Sequence, residues 1–227
     1  MLIANQVPDP AFRAGIVLAR GVSARPSPPE LERLIAELVA RRAAEAFPPA
    51  ATKDAIRGLL RRGGFKPTGR NKPASEYLAQ AAREGRFPRI NNLVDVNNLL
   101  SLETGLPISL LDLDAFAGRA ALRRAGAGEK YVFNAAGQEI DLEGLVCVCQ
   151  GGAQGAALGN PVKDSMAGKL GDRTGAVLGV IYASAECDAG RDLDAHAARL
   201  GLLLREFGSA GAVEAFSLSG GESRDLP

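Results

Sequence analysis

The chain has 227 residues, enough for one sizeable apolar core or two small lobes sharing one. Hydrophobic residues make up 46% and charged ones 23%, ordinary for a soluble globular protein; with aromatics at 5% and no Trp, Leu, Val, Ile and Ala must build the core. The formal net charge of +1 conceals one cationic block, ten basic residues between Lys53 and Arg89 against Asp54, Glu76 and Glu84. Such a block suits a phosphate backbone and equally a solvated pair of helices. No apolar run reaches the roughly 18 residues of a membrane helix, so no membrane partner is expected. No positive leader precedes an apolar stretch at Met1–Pro10, and the odd set Cys147, Cys149 and Cys187 argues for a reducing cytoplasm over a disulfide scaffold.

In chain order, Gly15–Arg20 (GIVLAR) reads as a first strand. Ser27–Glu30 (SPPE) has capping-box spacing and opens a helix in which Leu31, Leu34, Ile35 and Leu38 share a face, ended by Phe47, Pro48 and Pro49. A second helix is expected from about Lys53 to Arg62, stopped by Gly63 and Gly64, and a third opens at Pro73 and ends near Gly85. Between Pro88 and Asp114, Leu93, Val96, Leu99 and Leu100 have helical period, Asn92, Asp95 and Asn98 share another face, and Gly105, Leu106 and Pro107 break the helix. Strands are expected at Lys130–Phe133, Gly144–Gln150, Ala176–Ala183 and Ala212–Leu218, with a turn at Asn134–Gly137 and an amphipathic helix at Arg191–Phe207. Glu222–Pro227 reads as a frayed tail. Helices early and strands late make the class α+β.

Common catalytic apparatus is missing. His196 is the single histidine and supports neither a two-His metal site nor a triad. Cys147 and Cys149, two apart on one strand face, read as small buried hydrophobes. The glycine-rich Gly151–Gly159 lacks the Lys-Ser/Thr ending of a phosphate loop and the spacing of a dinucleotide fingerprint. No metal and no cofactor are expected, and no catalytic residue declares itself.

The segment from Pro88 to Asp114 (PRINNLVDVNNLLSLETGLPISLLDLD) resembles the B3/B4 tRNA-editing domain in the β subunit of bacterial phenylalanyl-tRNA synthetase. Arg89, Ile90, Asn91, Asn92, Val94, Asp95, Val96, Asn98, Leu102, Glu103, Gly105, Pro107, Asp112, Leu113 and Asp114 fall in step with that family's motif without a gap. The likeness continues through Gly128–Leu145 and more loosely through Asn160–Tyr182, about 57–182 in all. It implies a single domain over 1–227, an α+β fold of mixed and antiparallel sheets flanked by helices, and tRNA or aminoacyl-tRNA as partner. The synthetase's catalytic and anticodon-binding portions have no room in this length, so the chain is not expected to charge tRNA.

The activity that the resemblance implies is hydrolysis, in trans, of the ester joining a wrong amino acid to a tRNA 3′ end. An aminoacyl ester is already activated, so placing a water and steadying an oxyanion suffices. Candidate pocket residues are Asn91 and Asn98 on the asparagine-rich helix, Ser109, and Asn160, Lys163, Asp164, Ser165 and Lys169 in the polar loop NPVKDSMAGK. Arg57, Arg61, Arg62, Lys66, Arg70 and Lys72 are candidates for the tRNA backbone, while Asn92 and Asp95 read as structural. Two positions depart from the family: Ser109 stands where it has a histidine, and Lys169 where it has the acid implicated in reading a tyrosine hydroxyl. A non-catalytic module binding RNA, an amino acid or a small metabolite on the same fold is the alternative.

Overall fold

The computed structural model describes residues 1–152 and 154–226; Ala153, in the glycine-rich stretch, and Pro227, at the end of the expected tail, lie outside the described residues. The chain opens with β1 (Leu2–Asn5) and β2 (Phe12–Arg20). β2 is buried along most of its length, as a strand covered on both faces must be, which is why its sequence shows an apolar run and no alternation.

Helix α1 (Pro29–Ala43) buries Leu31, Ile35 and Leu38. Its start departs from expectation, because Pro28 is the N-cap and no side chain caps the helix. The Ser27 hydroxyl instead donates to Asp95 Oδ2 at 2.8 Å. Asp95 is 2% exposed and also takes Arg89 Nε at 3.2 Å and the Ile90 N–H at 2.9 Å. Satisfying a buried carboxylate outweighs one helix cap. Helix α2 (Ala50–Arg62) stops at Gly63, and α3 (Ala74–Arg83) follows Pro73. Helix α4 (Asn92–Thr104) is capped by Asn91, whose side chain accepts the Val94 N–H at 3.0 Å. It ends at Gly105, where φ is 76° and an added Cβ would lie 2.9 Å from Pro48 Cβ, so backbone and space both demand glycine.

The later elements are β3 (Ile108–Asp112), β4 (Arg119–Arg124), β5 (Lys130–Val132), β6 (Glu139–Asp141), β7 (Val146–Gln150), β8 (Ala157–Gly159), β9 (Ala176–Ser184), α5 (Asp188–Arg191), α6 (Leu193–Gly208), β10 (Ala212–Ser219) and β11 (Ser223–Asp225). One sheet has the order β10-β2-β9-β3, wholly antiparallel. The other runs β11-β1-β4-β7-β8, with β1 and β4 parallel and the rest antiparallel. β5 and β6 form a hairpin about the expected turn, closed by Gly137 N–H to Asn134 O at 3.1 Å. The class is α+β, with mixed and antiparallel sheets flanked by helices.

Gly15–Arg20 lies within β2 as expected, and the four early helices are inserted between β2 and its sheet-mates. Two expectations are corrected. The late helix divides at Asp192 into α5 and α6. The terminal segment is tied down where fraying was expected, since Ser223–Asp225 pair with β1 and Leu226 is 5% exposed. Three main-chain pairings and one anchored leucine offset the entropy of ordering so short a segment.

The main core surrounds α4, which packs against α1, α3, α6 and β3 and buries Leu93, Val96, Leu99 and Leu100. A smaller cluster of Leu60, Tyr131, Ile140, Leu142, Leu145 and Val162 encloses Cys147 and Cys149, both 0% exposed. Burial pushes the Cys149 thiol up to about 11 and the Cys147 thiol well above its usual range. Both thiols are therefore expected to react with a disulfide reagent at pH 8 at least about 100-fold more slowly than free cysteine, until denaturant exposes them. Among the described residues no helix is long and apolar enough to cross a membrane.

Candidate functional site

One face of α4 carries Asn91, Val94 and Asn98 at spacings of three and four, with Asn97 beside them. Opposite stand Ile108 and Leu110 of β3, the loop after β8, and Phe133, Gln138 and Glu139 of the β5–β6 hairpin. Arg70, Lys72 and Tyr77 close one side of the resulting cleft of about 1130 Å³. Asn160, Lys163, Asp164 and Lys169, four of the five residues expected from the polar loop, line it.

At its floor lies a chain of hydroxyls and a carboxyl. Ser109, 0% exposed, donates to Asp164 Oδ1 at 2.5 Å and lies 2.9 Å from the Tyr182 hydroxyl. Gly159 makes the approach possible, because a Cβ there would sit 2.8 Å from Asp164 Oδ1 and 3.0 Å from Ser109 Oγ. Burial pushes the Asp164 carboxyl up to about 7, against the hydrogen bonds from Ser109 and the Asn160 backbone and the charge of Lys169. Burial also raises the Tyr131 and Tyr182 phenols, which stay protonated.

Asn160 holds the loop. Its Oδ1 accepts the N–H groups of Val162 at 2.7 Å and Lys163 at 3.0 Å, and its Nδ2 donates to the Tyr131 hydroxyl at 2.5 Å. That hydroxyl donates in turn to the Lys163 carbonyl at 2.5 Å. Lys163 Nζ sits 4.2 Å from the centre of the Phe133 ring, and burial together with the nearby Arg70 guanidinium lowers its pKa. Among the described residues neither cation has an ion-pair partner, and like charges held close together favour an incoming anion.

The remaining candidates separate by environment. Asn98 lines the cleft and is 8% exposed; Asn91 lines it too, although its side-chain oxygen is used in capping. Ser109 lies behind the cleft and reaches it through Asp164. Ser165 instead caps the 3₁₀ turn Met166–Gly168, accepting the Ala167 N–H at 3.0 Å, and lines a separate cleft of about 520 Å³. Lys169 is exposed at the cleft wall; after it, Thr174 donates to Asp112 Oδ2 at 2.5 Å. Asn92 ties Arg25 N–H, the Ser23 carbonyl and the Phe207 carbonyl together, as a structural residue would.

Among the basic candidates, Arg70 and Lys72 border the cleft, and Lys72 reaches Gln80. Arg61 and Lys66 are exposed and have no ion-pair partner among the described residues. Arg57 is instead clamped to Glu76 at 2.7 and 2.6 Å, and Arg62 joins Asp9 at 2.9 Å and Glu186 at 3.3 Å. Tyr131, Tyr182, Phe133 and Asn97 were not singled out from sequence; the tyrosines lie in apolar runs, where a core ring and a hydrogen-bonded phenol look alike. His196 does not line the cleft, and among the described residues no three His, Cys, Asp or Glu side chains gather as a metal site would require.

The B3/4 domain family matches residues 64–185. The phenylalanine–tRNA ligase β subunit of Moorella thermoacetica is 33% identical over 132 residues, covering 57% of this chain and 16% of that subunit. The same subunit from Streptococcus mutans is 42% identical over 62 residues, 27% of this chain and 8% of that one. The chain thus matches only a small fraction of the length of these relatives. A crystal structure of an N-terminal fragment of the phenylalanyl-tRNA synthetase β subunit from Pyrococcus horikoshii superposes with a TM-score of 0.45 at 12% identity, covering 97% of this chain and 55% of the fragment.

Proposed function

Since the chain belongs to the B3/4 domain family, we propose that its cleft binds the 3′ end of an aminoacyl-tRNA and hydrolyses the aminoacyl ester. The observation that carries the reading is the meeting of Asn98 on α4 with Lys163, Asp164 and Lys169 of the loop after β8 around one cleft. A carboxyl pushed up to about 7 beside cationic groups suits hydrolysis of an activated ester near neutral pH.

In this reaction the Asp164 carboxylate takes a proton from a water, whose oxygen attacks the ester carbonyl. The Lys163 ammonium faces the oxyanion that develops. Collapse breaks the bond to the terminal ribose oxygen, which recovers the proton from Asp164, leaving a free amino acid and an uncharged tRNA. Ser109 is a positioning residue, holding the carboxyl through its 2.5 Å hydrogen bond. The exposed cations Arg61, Lys66 and Arg70 attract the acceptor stem, so affinity should fall steeply with salt.

Deacylation of a panel of aminoacyl-tRNAs tests the proposal. Turnover of at least one species above the spontaneous rate supports it; a panel left intact by protein that still binds tRNA contradicts it and favours the binding module. Tyr-tRNA(Phe) should not be a preferred member, because Lys169 donates and cannot accept a hydrogen bond from a phenol. Selective hydrolysis of that species would contradict the place given to Lys169.

A further inference from the structure

β3 is the last strand of its sheet and pairs on one side only, with β9. The Tyr182 N–H donates to the Pro107 carbonyl at 3.0 Å, which sets the alternation along the pair. Ser109 and Leu111 therefore turn their main-chain groups to β9, and Ile108 and Leu110 turn theirs to the other edge. That edge is the cleft, which Ile108 and Leu110 line. There the Ile108 carbonyl takes only the long 3.4 Å contact from Asn97 Nδ2, and the Oδ1 of that same amide is buried without a partner. The N–H and carbonyl of Leu110 meet no partner on this side among the described residues. Ser109, between the two, carries the 2.5 Å hydrogen bond to Asp164, so the open edge runs beside the ester site. A strand edge left open inside a cleft is a template for another extended chain.

The charges beside the ester point the same way. Lys163 and Lys169 line the cleft with no ion-pair partner among the described residues, and the Glu139 carboxylate is joined to Lys130 at 2.7 Å. A free α-ammonium next to the ester carbonyl would meet both cations, whereas an amide in its place carries no charge. At about 1130 Å³ the cleft also exceeds the roughly 300–1,000 Å³ of most small-ligand pockets.

We infer that the acyl group favoured by this cleft is a peptidyl chain, lying along β3 as an added strand with its C-terminal ester at Asp164. This rests on the reading that the site hydrolyses an acylated RNA end. Pairing with both Ile108 and Leu110 takes three residues, because only alternate residues of a strand turn their main-chain groups to one edge. A single aminoacyl ester is then the shortest acyl group the site accepts, and it reaches at most one of the two pairings. The chemical step is unchanged: water adds to the ester carbonyl, the bond to the ribose oxygen breaks, and a peptide leaves in place of an amino acid.

Alanyl, N-acetylalanyl and trialanyl esters of one tRNA, each corrected for its spontaneous rate, test the inference. N-acetylalanyl should turn over faster than alanyl, through loss of the ammonium. Trialanyl should be about tenfold or more faster again, the effect of further main-chain hydrogen bonds. A trialanyl ester N-methylated at both amides keeps its length, loses those donors and should fall to within about threefold of N-acetylalanyl. Leu110→Pro removes the N–H from an edge position where proline is tolerated, and should cut the trialanyl preference below about threefold. Alanyl fastest of all, trialanyl no faster than N-acetylalanyl, or a preference that survives N-methylation or a folded Leu110→Pro overturns the added strand while leaving ester hydrolysis in place. All four esters left intact overturn both readings.

Discussion

Replacing Asp164 with asparagine is expected to lower the deacylation rate about 100-fold or more, the usual contribution of a positioned general base, while leaving tRNA affinity almost unchanged. The asparagine oxygen can still accept from Ser109, so the floor of the cleft keeps its geometry; only the proton acceptor is lost. In the unsubstituted protein kcat/KM should rise with pH and level off above about 7, as the carboxyl ionises. The variant should lack that inflection.

The same substitution has a stability signature. Asp164 keeps its proton in the folded state up to about 7, whereas its usual value is 3.8. Between those values the folded state binds the extra proton, so this group's contribution is full below about 3.8 and is lost as pH rises through about 7. Asp164→Asn carries no buried charge at any pH. Its melting temperature relative to the parent should therefore climb from pH 5 to pH 8. A variant that is slower but more stable at pH 8 marks a carboxyl kept for chemistry.

Arg57→Ala is expected to lower stability by roughly 3 kcal/mol, the low end for breaking a buried ion pair from one side. Glu76 is 8% exposed and takes both arms of the guanidinium, joining α2 to α3. Without Arg57 that carboxylate is stranded, and Arg57→Ala with Glu76→Gln should recover part of the loss, read by chemical denaturation. The salt dependence of tRNA affinity separates this role from RNA binding. It should be unchanged in Arg57→Ala, and shallower by about two to three in slope when Arg61, Lys66 and Arg70 are all replaced by alanine.

These residues also show where sequence reasoning stops. The four early helices were legible because proline and glycine punctuate them and their leucines keep helical spacing. β2, β7, β9 and β10 were legible as apolar runs, whereas β3 and β4 were not singled out. β1, β6, β8 and β11, of three or four residues each, carry too few side chains to display a period, and only pairing with distant partners makes them strands. The cleft was half legible. The asparagine-rich helix and the polar loop announced themselves, but their meeting is a product of β3 and the β5–β6 hairpin. Arg57 and Arg62 illustrate the reverse: a basic block in sequence does not reveal which cations distant carboxylates neutralise. Asn97 escaped notice because in sequence it is one more polar residue beside Asn98, and only the unmet oxygen distinguishes it.

A structure of the complex with an aminoacyl-adenosine whose ester is replaced by an amide would decide whether these segments act as one site. The acyl carbonyl should lie about 3–4 Å from Asp164, or one bridging water away, with the ligand between α4 and the loop after β8. A ligand bound outside this cleft, or one whose carbonyl points away from Asp164 with side chains filling the space between, would contradict it.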